Sequence, residues 1–134
     1  MKKHGSVSDY IESRNENLKR EFIARLGRNG RSISESIAAM TMVPADRFYI
    51  SEERAVSAVR RLKEGAPEKR NENPQRKAMI KEIFRRVEAL MAARPGLSLT
   101  DAVYEVVNSP APGFYLARGS MRTLLYSLLG TRRS

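Results

Sequence analysis

At 134 residues, with 41% hydrophobic and 30% charged residues, the chain has the length and balance of one globular domain or two small ones, which excludes disorder throughout. It contains no Cys, so a disulfide framework, a thiolate nucleophile and a cysteine metal site are excluded, and the cytoplasm is the expected compartment. The net charge of +10 favours polyanionic partners over neutral ones.

In chain order, the first predicted helix opens between Ser6, a capping hydroxyl, and Asp9, whose charge opposes the helix dipole. It runs to Gly27 with Ile11, Leu18, Phe22 and Leu26 on its inner stripe. The second opens at the capping box Ser32-Ile-Ser-Glu35, carries Ile33, Ile37 and Met40 at helical spacing, and ends before Pro44. Ser51-Glu52-Glu53 opens the third. Ala55, Val56, Val59 and Leu62 form its apolar stripe, and Arg60, Arg61 and Lys63 face the negative end of its dipole.

Residues 65–73 are polar and read as an exposed linker, which divides the chain into a first three-helix unit at 1–64 and a second at 74–134, with one joint core as the alternative. Asn73-Pro74 opens the longest helix, with Met79, Ile80, Ile83, Phe84, Val87, Leu90 and Met91 on one face, ending at Arg94-Pro95-Gly96. Ser98-Leu-Thr-Asp101 resembles a second capping box, followed by Leu99, Val103, Val106 and Val107. The Val run keeps a strand open as an alternative there. A last helix over residues 117–129 buries Met121, Leu124, Leu125 and Leu128. The leader region, Met1-Lys2-Lys3-His4, runs into polar residues rather than a secretory h-region, and no apolar run is long enough to span a membrane. The expected fold class is all-α, six helices in two tandem diverged units.

An internal repeat supports that division. Sliding the chain by 66 residues places 31–62 on 97–128 without a gap and lays Pro44-Ala-Asp-Arg-Phe48-Tyr49-Ile50 on Pro110-Ala-Pro-Gly-Phe114-Tyr115-Leu116. Six of the 32 positions are identical, four of them in this loop, and the apolar positions keep phase on both sides. The first helices align at a shift of 62, with Leu18, Lys19 and Phe22 on Ile80, Lys81 and Phe84, so the second copy carries one extra helical turn. The Phe-Tyr pairs are assigned first to anchoring a long inter-helix loop and second to stacking on nucleobases. The Pro-Ala-x-x-Phe-Tyr-Ile/Leu segments, each followed by a helix, resemble a segment of small uncharacterised proteins of gut bacteria and their mobile elements. That resemblance covers only these loops and implies no activity.

Catalytic readings find little support. His4 is the only histidine, which removes histidine-based nucleophile activation and histidine metal clusters, and no metal or cofactor is expected. Glu35, Glu52, Glu53 and Asp101 stand where helix caps need them, so no carboxylate dyad remains. Gly27-Arg28-Asn29-Gly30-Arg31 lacks the Gly-Lys-Ser/Thr ending of a phosphate-binding loop and follows a helix rather than a strand.

The expectation is therefore a binding protein rather than an enzyme, with nucleic acid as partner and double-stranded DNA ahead of RNA. It would grip phosphates with weak or shape-based specificity. Both halves are basic, with 13 basic against 9 acidic residues before Gly65 and 12 against 6 from there on. The candidate contacts are Arg28 and Arg31 after the first helix, Arg54, Arg60 and Arg61 in the third, Lys77, Lys81 and Arg85 in the fourth, and Arg118 and Arg122 in the sixth. A helix-turn-helix-like arrangement is conceivable, although about eight residues separate the second and third helices where the usual motif has three or four. The alternative is a structural or adaptor protein of a phage or mobile-element assembly that binds an acidic protein surface. The apolar last helix is a candidate homodimer face. The copies share capping and apolar positions but not charge: Arg47 aligns with Gly113 and Arg60 with Tyr126.

Overall fold

The computed structural model describes residues 7–26, 28–67 and 72–130, with the side chains of 7–9 and 29 also left aside. The Ser6 cap, the Gly27 stop and His4 lie outside the described residues. Six α-helices follow one another: α1 Val7–Arg25, α2 Ile33–Ala39, α3 Glu52–Lys63, α4 Pro74–Ala93, α5 Leu99–Val107 and α6 Arg118–Leu128. Short 3₁₀ turns at Arg28–Gly30 and Met40–Met42 flank α2. No strand occurs among the described residues, and the Val-rich segment that kept a strand open forms α5.

Local chemistry explains where α2, α3, α4 and α5 start. Ser32 Oγ accepts the Glu35 N–H at 3.1 Å while Glu35 Oε1 accepts the Ser32 N–H at 2.8 Å, closing both arms of the box at α2. Ser98 Oγ takes the Asp101 N–H at 3.1 Å, the corresponding single arm at α5. Ser51 caps α3 by accepting the Arg54 N–H, and Asn73 Oδ1 accepts the Gln75 N–H ahead of Pro74 at α4. Two expected inward positions face outward instead. Leu26 follows the last turn of α1 and Ile33 occupies the first turn of α2, so neither helix carries its residue into the core, and both are exposed. Asn17 is buried in α1 where the apolar stripe did not predict a polar residue.

The buried apolar side chains form one cluster that draws on all six helices. Phe22, Phe48, Leu18, Met40, Ile83 and Leu125 are among its fully buried members. Helix packing crosses the linker: α3 lies on α4 and α5, while α6 lies on α1 and α2. Each group of three helices thus takes two from one side of residues 65–73 and one from the other. Lys63 Nζ on α3 reaches Glu88 Oε2 on α4 at 3.2 Å, and Asn108 after α5 donates to Glu52 Oε2 at the start of α3, also at 3.2 Å.

Where the groups meet, the two loops pair reciprocally. Ala45 and Ala111 exchange both backbone hydrogen bonds, each 3.0 Å, in an isolated antiparallel bridge. Phe48 stacks on Tyr115 at 6.1 Å between ring centroids, and Tyr49 on Phe114 at 6.2 Å. Positions that align at the 66-residue shift are those that exchange partners here. The loops depart from one another at Tyr115, which holds a left-handed backbone (φ 56°) that disfavours non-glycine residues, and where its ring is fixed against Phe48.

Candidate nucleic-acid interface

Four arginines are tied down by the fold itself. Arg86 donates from Nη1 to the Pro110 carbonyl at 2.8 Å and lies 5.1 Å over the Phe48 ring. Arg47 donates to the Phe48 and Ile50 carbonyls, and Arg20 holds both oxygens of Asp46 from α1. Arg94 spans to Glu105, fixing the end of α4 to α5. These side chains fasten loops and helix ends, so their charge is partly neutralised in place.

The loop aromatics are fastened as well. Asn17 Oδ1 accepts both the Asp46 N–H at 2.7 Å and the Tyr49 hydroxyl at 2.9 Å. Burial, then the neighbouring Asp46 carboxylate, pushes the Tyr49 phenol up; burial and Glu82 do the same for Tyr115. Phe48 and Phe114 are buried and each is stacked on a tyrosine. The four rings face one another, so anchoring is the role their geometry supplies.

Four of the ten candidate cations come together, and the other six are scattered. Arg54 and Arg61 on α3 and Lys77 and Lys81 on α4 line one cleft between the two helices, of about 500 Å³. Seven residues, close to two helical turns, put Arg54 and Arg61 on the same face of α3, and Lys77 and Lys81 are one turn apart on α4. Arg76, which sequence reasoning left out of the site, joins them, its Nε 4.0 Å from Glu72 Oε2. Arg61 Nη2 also donates to the Pro67 carbonyl at 3.1 Å, which orients it along the rim. Glu53 and Glu72 are the two carboxylates of the lining, and Ala58, Leu62 and Ile80 form an apolar floor.

The remaining candidates lie elsewhere. Arg28 is in the 3₁₀ turn after α1 and Arg31 follows it, both exposed. Arg60 is exposed on α3 but is not part of the cleft lining. Arg85 is bound to Glu82, with Nη2 to Oε2 at 2.6 Å, and that carboxylate holds the guanidinium above its usual range. Arg118 borders a second, shallower depression near Met42 and Tyr115, and Arg122 lies 5.6 Å over the Tyr126 ring. The apolar side chains of α6 turn inward, with Met121 and Leu125 buried where α6 meets α1 and α2.

No protein-family model matches the chain, and neither does any curated protein or solved structure.

No helix among the described residues is long and apolar enough to cross a membrane, and no group of three or more metal-ligating side chains occurs among them. In the α3–α4 cleft, charge, concavity and apolar surface coincide. The charges of the cleft are only partly matched at the shifted positions. At the shifts of 66 and 62, α3 and α4 correspond to α6 and α1; Arg54 and Arg61 fall on Ser120 and Ser127, and Lys77 on Asn15. The counterpart surface keeps Arg14 and Lys19 but lacks the α3-side cations.

Proposed function

We propose that the chain is a duplicated three-helix unit whose copies exchange their third helices, and that it binds nucleic acid through the α3–α4 cleft. Double-stranded DNA is the preferred form. The observation that carries this reading is the convergence of Arg54, Arg61, Arg76, Lys77 and Lys81 on one cleft against two carboxylates. Duplication is supported by the reciprocal Ala45–Ala111 bridge and the crossed Phe-Tyr stacks at aligned positions.

Phosphates are recognised by point charges and guanidinium forks without reading sequence, so cations presented from two helices set affinity and orientation rather than base preference. The α6–α1 surface, without the arginines of α3, would contribute little. One binding face per chain follows, even though the scaffold is doubled.

Fluorescence anisotropy against labelled duplexes of unrelated sequence, at low and at moderate salt, tests the reading. Binding at low salt, similar across sequences and falling steeply as salt is raised, is the expected result. An absence of binding to any oligonucleotide at low salt refutes it.

A further inference from the structure

The cleft offers more than a phosphate grip needs. Its floor is aliphatic, from Ala58 and Leu62 on α3 and Ile80 on α4, and only its rim is cationic. A continuous duplex keeps its bases stacked inside and meets proteins with a convex, phosphate-lined surface, which would cover the rim and leave the floor empty. The volume of about 500 Å³ falls within the range of small-ligand pockets, roughly 300–1,000 Å³. Such pockets combine an apolar body with a few convergent charged groups, and that is the composition found between α3 and α4.

We infer that the cleft takes an unpaired nucleotide, at a strand end or a gap, with its base against Ala58, Leu62 and Ile80 and its flanking phosphates on Arg54, Arg61 and Lys81. An unpaired base is flat, largely apolar on its faces, and joined on both sides to anions, which matches an apolar floor between cationic walls. No aromatic ring lines the cleft, so the stacking partner is a guanidinium plane, that of Arg76 on the rim. This inference rests on the nucleic-acid reading above, but it adds a preference which that reading alone does not require: an unpaired nucleotide binds better than a blunt duplex end.

The test compares a blunt duplex with the same duplex carrying a short thymidine overhang, both against the wild-type chain and against Ala58→Leu. That substitution fills the floor without altering charge; Ser57→Leu, on the exposed edge of the same cleft, is the second variant, and circular dichroism with a thermal melt checks that each is folded. The expected result is tighter binding of the overhang by about tenfold, with the overhang-to-blunt ratio falling to about one in each folded variant. Equal binding of both duplexes by the wild type overturns the inference and leaves the phosphate grip standing, and so does a preference that survives the filled floor. Failure to bind either duplex at low salt overturns both readings, as does capture of an acidic amphipathic peptide in preference to every oligonucleotide.

Discussion

Ser36 lies fully buried in α2 and its hydroxyl has no hydrogen-bond partner, whereas the aligned position in α5 is the buried Ala102. A buried hydroxyl without a partner costs on the order of 1–3 kcal/mol. Ser36→Ala is therefore expected to raise stability by about 1 kcal/mol in denaturant titration, and a loss of stability would contradict the absence of a partner. Glu82 presents the opposite case. Its carboxylate takes hydrogen bonds from Arg85 and Arg86, and the Arg85 contact, followed by that of Arg86, holds it down at about 2. A folded-state value below that of the unfolded chain means stability that is present above the ordinary carboxylate range and disappears as the pH falls towards about 2. The melting-temperature difference between wild type and Glu82→Gln should be largest near neutral pH and close to zero near pH 2. A difference that does not change with pH would show that the carboxylate's charge has no part in it.

At the scale of elements, the helices were largely legible in the sequence because their ends are marked by local chemistry. Ser32 with Glu35, Ser51, Asn73-Pro74 and Ser98 each announce a helix through a side chain that reaches only two or three residues along the chain. Two misjudged positions lie at ends: Leu26 and Ile33 fit an apolar stripe by spacing, yet belong to turns that no neighbour covers, while the third, the buried Asn17, lies within α1. What an amphipathic stripe cannot encode is its partner. Val56 and Val59 mark an inner face on α3 equally well whether it packs on α1 and α2 or, as found, on α4 and α5. Packing across the linker has a direct consequence for expression of the chain in two parts. Segments 1–67 and 72–134, co-expressed as separate chains, should co-purify and melt in one transition, because each group of three helices needs both. Independent folding of the two segments, without association, would contradict the packing of α3 on α4 and α5.

The molecule as a whole gathers part of its basic charge into one cleft and carries the rest on separate surfaces. Its net charge of +10 was plain from composition, and so were the basic candidates, but composition could not sort them. Arg20, Arg47, Arg86 and Arg94 turned out to fasten the fold, while Arg54, Arg61, Lys77 and Lys81 share a cleft that exists only because α3 and α4 lie side by side. The floor residues Ala58, Leu62 and Ile80 read as ordinary helix-face residues until both helices are placed. Specific placement of charge, rather than its sum, is the central claim, and two charge-matched variants separate the alternatives. One replaces Arg54, Arg61 and Lys81 of the cleft by Ala; the other replaces Arg28, Arg60 and Arg122, which lie outside its lining. Duplex affinity is measured for both over a range of salt. The cleft variant is predicted to lose more than about tenfold in affinity and about 3 in the slope of log K against log salt, with the other within about threefold of wild type. Equal losses in the two variants would contradict the account, because binding would then follow net charge and not the α3–α4 cleft.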